Sequence, residues 1–376
     1  MGPARVLVLA GEESGDQHGA AVVEALTARA PALRFWGTGG ARLAALGVER
    51  IAGLEDLAVM GFAEVVGRLG FFRRLEADVR RRLDQGEADL LLAVDYPGFN
   101  LRIARYARER GVPVLFYIAP QVWAWRAGRA ARLAQDASRL AVILPFEVEI
   151  FERVGADVTF VGHPLLDHPP EVPDRASFLG GLGLDPARPV LALFPGSRAQ
   201  EIARHRVPFV AAARILRSED PALQVVVARA PSLGDVGLPD DVVGTDQGRA
   251  LLAHARAALV KSGTSTLEAA LAGTPFVCAY RTHPLTFAVA RRVVRVEHVA
   301  LANLVAGRRV VPELLQAQVT GPALADALRP LLADGAARTE MQAALAGVRA
   351  RLGTPGAAAR VAELALELLG AQVARP

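Results

Sequence analysis

The residues best placed to do chemistry sit just after apolar runs. The run Leu90–Val94 delivers Asp95-Tyr96-Pro97-Gly98-Phe99-Asn100. In open parallel sheets ligands bind outside the carboxyl ends of the strands, so a carboxylate held there by a proline turn suits a general base. The alternative is a helix cap or turn acceptor. Farther on, Val190–Phe194 ends in Pro195-Gly196-Ser197-Arg198, and Ala257–Val260 is followed by Lys261-Ser262-Gly263-Thr264-Ser265-Thr266-Leu267-Glu268. A Gly-Ser turn at a helix start offers free backbone N–H groups, and Arg198 adds a forked donor for phosphate oxygens. Glu268, one turn into its helix, could accept ribose hydroxyls. Either turn alone also reads as an ordinary cap. Two phosphate-type loops in one half, with a carboxylate in the other, describe a nucleotide-diphosphate donor meeting an acceptor.

Other loops carry weaker signals. After the first strand comes Gly11-Glu12-Glu13-Ser14-Gly15-Asp16-Gln17-His18-Gly19, a stretch that allows a tight turn and close approach to a ligand, or a helix capped by Ser14 or Asp16. It is not G-x-G-x-x-G, nor a phosphate-loop or nucleophile-elbow pattern, and Gly37-Thr38-Gly39-Gly40 also fails the dinucleotide spacing. A nicotinamide dehydrogenase lacks its first requirement. Asn100 and Asn303 are the only asparagines, which suggests a specific hydrogen-bonding duty for each. His163-Pro164-Leu165-Leu166-Asp167-His168 reads as a turn sooner than as a metal site, and no metal or cofactor is expected. Cys278, the only cysteine, lies in an apolar run and excludes an intramolecular disulfide.

The elements that must position these residues alternate. In the first half, strands are expected at Val6–Ala10, Arg34–Gly37, Leu90–Val94, Val114–Ile118, Leu140–Leu144 and Val158–Val161, with helices at Gly19–Arg29, Arg73–Leu83 and Leu101–Arg110. A proline-rich linker spans 168–174, and the pattern restarts. Strands follow at Val190–Phe194, Gln224–Ala228, Ala257–Val260 and Pro275–Ala279, with helices at Glu201–Leu216 and Thr266–Ala272. The tail from Ala323 to Leu369 is helical, broken near Gly335 and at 353–356. At 376 residues, 52% hydrophobic and 22% charged, the chain can bury two sizeable cores and is not disordered. A net charge of +4 suits anionic ligands or surfaces without demanding nucleic acid. Lys261 is the only lysine. No run is long enough to span a bilayer and no export signal is evident, so a cytosolic protein is expected. The fold class is α/β: two Rossmann-like, doubly wound parallel-sheet domains facing across a cleft.

In this order the motifs resemble the lipid-A-disaccharide synthase family, over essentially the whole chain. The match runs from the Ala10-to-Gly19 loop through Leu57-Ala58-Val59-Met60-Gly61, the Asp95-to-Asn100 turn and Val122-Trp123-Ala124-Trp125-Arg126. It continues with Leu144-Pro145-Phe146-Glu147, Val161-Gly162-His163-Pro164, Pro195-Gly196-Ser197-Arg198, the Ser262-to-Glu268 turn, Tyr280-Arg281 and the stretch from Leu301 to Arg308. The resemblance implies a GT-B fold and a metal-independent inverting transfer from UDP-2,3-diacylglucosamine to 2,3-diacylglucosamine 1-phosphate, giving a β(1→6) disaccharide and UDP. It implies Asp95 as the base on the acceptor's 6-hydroxyl. Arg198, Gly196, Ser197, Ser262, Gly263 and Thr264 would hold the departing diphosphate, with Glu268 on the ribose and Arg281 and Asn303 lining the donor side. Glu12, Ser14, Asp16 and Asn100 would shape the acceptor side. Gly98 stands where many relatives carry a second acidic residue, and Ala119 and Gln121 replace serines.

Acylated substrates require a bilayer. In the stretch from Met60 to Leu75, Phe62, Val65, Val66, Leu69, Phe71 and Phe72 offer apolar surface and Arg68, Arg73 and Arg74 can meet anionic headgroups. Peripheral contact with the inner membrane is the expectation; the alternative is a helix packed on its own core. The expected domains are 1–168 on the acceptor side, 175–345 on the UDP-sugar side, and a tail at 346–376 that could cross back to the first domain or pair with a second copy as a homodimer. Rival functions are another UDP-hexosamine transferase or epimerase, and a non-catalytic nucleotide-sugar or lipid-binding protein.

Overall fold

The computed structural model describes residues 3–57, 68–120, 127–229, 242–283, 287 and 297–373. The chain divides into two units, Met1–Asp167 with Gly353–Pro376, and His168–Leu352. In the first, β1 (Arg5–Ala10), β2 (Arg34–Gly39), β3 (Glu49–Gly53), β4 (Leu90–Val94), β5 (Val114–Tyr117), β6 (Arg139–Val142) and β7 (Val158–Phe160) form one sheet, all neighbours parallel, in the order β3-β2-β1-β4-β5-β6-β7. Its helices are α1 (Glu13–Arg29), α2 (Ala41–Ala45), α3 (Leu54–Leu57), α4 (Leu69–Asp84), α5 (Pro97–Glu109), α6 (Ala127–Asp136) and α7 (Phe146–Glu152).

In the second unit, α8 (Arg175–Gly181) precedes β8 (Val190–Phe194), α9 (Ala199–Glu219), β9 (Gln224–Ala228) and β10 (Val243–Thr245). Then come α10 (Gly248–His254), β11 (Ala257–Lys261), α11 (Ser265–Leu271), β12 (Phe276–Tyr280), α12 (Leu301–Ala306), β13 (Glu313–Leu315), α13 (Gly321–Leu332) and α14 (Ala336–Arg351). These strands too are parallel, ordered β10-β9-β8-β11-β12-β13. The final helix, α15 (Ala357–Val373), belongs to the first unit.

Burial on both faces explains why the central strands read as unbroken Val/Leu runs. Side chains alternate across a strand, so Leu7 and Leu9 of β1 enter one core with Leu91 and Ala93 of β4, while Val6, Val8 and Ala10 enter the other with Leu90, Leu92 and Val94. The second core also takes Val22, Val23 and Leu26 of α1 and Val361, Ala362 and Ala365 of α15. The Asp167 carboxylate fixes where α15 begins, accepting from the N–H groups of Gly356 (2.8 Å), Ala357 (3.1 Å) and Ala358 (3.1 Å). A cap of this kind contributes about 1 kcal/mol.

Three strands escape the sequence reading, and all three are sheet edges. β3, β10 and β13 are short and only partly buried, so they lack the apolar run that marks a central strand. The expected loop from Gly11 to Gly19 is also shorter than its composition suggests. Only Gly11 and Glu12 are loop, and α1 starts at Glu13.

Candidate active site

Both sheets run outward from a central pair, β1 beside β4 and β8 beside β11, so each unit has a topological switch point between those strands. Glu12, Asp95, the Gly196-to-Arg198 turn and the Ser262-to-Thr264 turn follow these four strand ends, whereas Arg281 follows β12 and Asn303 lies in α12. In the first unit Ala10 pairs with Val94, which places Gly11 and Asp95 side by side as the chain leaves the sheet. Asp95 (φ 46°) and Tyr96 (φ 49°) are both left-handed, and Ile118, just past β5, has φ 63°. Such conformations cost non-glycine residues of order 1–3 kcal/mol each, most for a β-branched side chain, and persist only where the surroundings impose them.

The surroundings here are specific. Asn100, 1% exposed, donates from Nδ2 to the carbonyls of Leu9 (3.2 Å), Val94 (3.3 Å) and Asp95 (2.7 Å), stitching the ends of β1 and β4 to the turn. Its Oδ1 is buried without a partner among the described residues. The Tyr96 ring lies over Gly11, and its hydroxyl donates to the Leu57 carbonyl at 3.1 Å. Asp95 does not cap the helix that follows: Tyr96 is the N-cap residue of α5 and no side chain bonds there. The Asp95 carboxyl is pushed up to about 6, chiefly by burial and then by the charge of Glu12, against a weaker pull from the Tyr96 N–H. Thus a basic carboxylate, ionised at neutral pH, stands at the switch point.

The other acceptor-side expectations divide. Glu12 is exposed at the N-cap of α1, near enough to raise Asp95, and Ser14 is exposed on the first turn. Asp16 turns inward: it is buried and accepts from the N–H groups of Gly40 (2.7 Å), Arg42 (3.1 Å) and Leu43 (3.3 Å). It caps α2 from a distance and does not present a free carboxylate. Asn100 holds backbone in the same way, with its amide turned into the turn. The tryptophan motif, residues 122–126, and Gln121 lie outside the described residues, as do Phe62, Val65 and Val66. Leu69 is exposed on α4 with Arg73, whereas Phe71 and Phe72 are half-buried against the core.

In the second unit Phe194 pairs with Val260, so Pro195 and Lys261 emerge together. Gly196 has φ 128°, and Arg198, the N-cap residue of α9, keeps its guanidinium exposed. Ser262 donates from Oγ to the Val299 carbonyl at 2.7 Å, Gly263 has φ 152°, and Thr264 is exposed. Glu268 accepts from Arg249 Nε at 3.0 Å through one oxygen. Asn303 turns inward as Asp16 does. Fully buried, it donates from Nδ2 to Val311 O (3.0 Å) and Glu313 Oε1 (2.8 Å) and accepts at Oδ1 from Val310 N (2.7 Å) and Val311 N (2.9 Å). Its amide closes the turn into β13 and offers no free group.

Sequence reasoning missed the groups that organise this end. Lys261 Nζ lies 2.7 Å from Glu201 Oε1, and Glu201 Oε2 accepts from the Ser197 N–H at 3.1 Å. Burial would raise Glu201, but Lys261, the Ser197 N–H and Arg198 together hold it below the usual carboxylate range. His205 donates from Nδ1 to the Glu201 carbonyl (2.8 Å) and accepts at Nε2 from the Arg281 N–H (2.9 Å), which fixes a neutral tautomer. Burial lowers its pKa in agreement. The one signal for Lys261 in the sequence was its being the sole lysine.

Among the described residues no three His, Cys, Asp or Glu side chains converge as a metal site. His163 caps a 3-10 turn, Nδ1 accepting from the Leu165 N–H at 3.2 Å, and Cys278 is fully buried in β12.

Two Rossmann-type parallel sheets, each with polar groups leaving its switch point, define a protein of the GT-B fold class. The glycotransferase of kitacinnamycin superposes with a TM-score of 0.66 at 16% identity, covering 98% of this chain and 99% of that one. The UDP-GlcNAc 2-epimerase of Neisseria meningitidis, solved with UDP-GlcNAc, gives 0.59 at 12% identity, covering 98% and 100%. At such identities these likenesses show the fold, which transferases and epimerases share. Sequence decides the family. The profile of the lipid-A-disaccharide synthetase family matches residues 6–360, and the lipid-A-disaccharide synthase of Geobacter metallireducens is 41% identical over 374 residues, 97% of each chain. The chain belongs to the lipid-A-disaccharide synthetase family.

Proposed function

We propose that this enzyme condenses UDP-2,3-diacylglucosamine with 2,3-diacylglucosamine 1-phosphate, with inversion, to the β(1→6) disaccharide 1-phosphate and UDP. Family membership supports the reaction, and the observation that carries the mechanism is the strained, elevated Asp95 carboxylate at the β1/β4 switch point. Asp95 takes the proton of the acceptor's 6-hydroxyl as that oxygen bonds to the donor's anomeric carbon. The bond from that carbon to the diphosphate breaks, and UDP leaves with the electron pair. Arg198, the Ser197 N–H and the Ser262-to-Thr264 turn meet the charge growing on the diphosphate, where preorganised donors contribute most. The second Glu268 oxygen serves the ribose while Arg249 holds the first.

The base must be ionised to act. With Asp95 near 6, kcat/KM should fall about tenfold per pH unit below 6 and level off above it. A pH profile in mixed micelles that stayed flat from pH 5 to 8 would contradict the assignment. Arg198→Ala should weaken UDP binding and slow turnover together, by about tenfold or more in kcat/KM. Parallel measurement of donor and acceptor KM checks this, since a change confined to the acceptor would place Arg198 elsewhere.

The acyl chains of both substrates call for a membrane surface. Among the described residues no helix is long and apolar enough to cross a membrane. Leu69, exposed at the start of α4 beside Arg68, Arg73 and Arg74, supports peripheral contact with anionic headgroups. The decisive experiment is UDP release from the acylated donor with and without acceptor. Acceptor-dependent release establishes the reaction; turnover of unacylated UDP-N-acetylglucosamine without detergent would instead favour a soluble hexosamine transferase or epimerase.

A further inference from the structure

Lys261 is the sole lysine of the chain and lies just ahead of the Ser262-to-Glu268 turn. It sits at the carboxyl end of β11, and its side chain and that of Glu201 are each only 16% exposed. The Glu201 carboxylate is gripped from several sides: one oxygen by the ammonium at 2.7 Å with the Arg198 guanidinium 3.8 Å away, the other by the Ser197 N–H at 3.1 Å. An ammonium, a guanidinium and a backbone N–H converging on one oxyanion form the donor set that a phosphate group takes.

The chain is shaped around that oxyanion. A Cβ on Gly196 would come within 2.6 Å of Glu201 Cβ and 2.7 Å of its Oε2, so only glycine lets the turn approach the carboxylate this closely. Gly263, two residues past Lys261, has φ 152°, a conformation that favours glycine, and a Cβ there would stand in ordinary contact with Lys261 Nζ at 3.5 Å. His205 accepts from the Arg281 N–H just past β12 and donates to the Glu201 main chain, not to its carboxylate, so α9 stays anchored when the carboxylate turns away. A half-buried ion pair is weak evidence for stability by itself, because desolvation offsets its attraction.

We propose that Lys261 is a ligand of the donor's diphosphate, and that Glu201 occupies its place in the unliganded chain as an internal stand-in for the phosphate. On binding, the more highly charged diphosphate takes the Ser197 N–H and Lys261 Nζ, and the Glu201 carboxylate swings out to water. This rests on the reading of the second unit as the nucleotide-diphosphate site.

The test is calorimetric binding of UDP and of uridine to the full chain. Lys261→Met should weaken UDP by about tenfold or more, as loss of a charge-assisted bond would, and leave uridine within about twofold. Lys261→Arg should restore part of the loss. Glu201→Gln, which keeps the acceptor but removes the competing charge, should tighten UDP by about threefold or more. Equal loss of both ligands in Lys261→Met, or no loss, would overturn the proposal, as would weaker UDP binding in Glu201→Gln. Should Lys261→Met lose its cooperative thermal transition, the sign of the Glu201→Gln effect decides alone. A wild-type chain that bound no UDP would overturn the donor reading itself, and is told apart by that control.

Discussion

Asp95→Asn should leave UDP binding within about threefold of the parent and lower turnover by about 10²-fold or more. Asparagine keeps the size and polarity of the side chain, but its amide cannot accept the hydroxyl proton. On the proposed reading the nucleotide's ligands belong to the second unit, so donor affinity has no reason to move. Stability should respond in the opposite sense to activity. A carboxyl whose pKa rises from 3.8 to about 6 on folding holds its proton more tightly in the folded state. Its burial therefore costs stability above about pH 6 and nothing below about pH 4. Asparagine carries no such cost, and the melting temperature at pH 8 should be equal to the parent's or higher. A dead enzyme that is at least as stable marks a residue kept for chemistry. A variant that melted early and lost UDP as well would mark Asp95 as structural, and unchanged turnover would remove it from the mechanism.

Much of this was legible in the sequence because the informative residues follow buried parallel strands. Runs such as Leu90–Val94 and Val190–Phe194 are apolar throughout, since helices cover both faces, and they end abruptly where polar residues begin. Asp95 and Arg198 were found by that abrupt change. The orientation of Asp16 and Asn303 was not legible, because a polar residue in a motif gives no hint of which way it faces. Asp16 turns inward to cap α2, and Asn303 inward to close the turn into β13. The Glu201–Lys261 contact joins residues 60 apart in sequence, brought together only by the pairing of β8 with β11. Nor does spacing reveal a left-handed backbone at an aspartate followed by a tyrosine. That conformation is imposed by Asn100 and by the ring packed over Gly11, both consequences of the sheet order.

Gly11→Ala tests that imposed turn without touching a charged group. The added methyl would sit 2.3 Å from Tyr96 Cγ and 2.4 and 2.6 Å from the adjoining ring carbons. These are the near atoms of the ring, so rotation of its far end gives no relief. Tyr96 must move as a whole, abandoning its bond to the Leu57 carbonyl, and Asp95 is its neighbour in the same left-handed turn. A misplacement of about 1 Å at a reacting group costs on the order of 10²-fold, and a fall of that size in turnover is expected for Gly11→Ala with UDP affinity unchanged. The loss should come with a shift in the pH profile, because moving Asp95 alters the burial and the Glu12 charge that raise its pKa. Greater exposure would lower the inflection from about 6 toward the ordinary carboxylate value. Slower turnover with the inflection still near 6 would mean that the turn had held and that Gly11 acts through substrate contact instead. Parent-like turnover would show that the Tyr96 ring yields without carrying Asp95 along, and that the left-handed turn is not what aims the base.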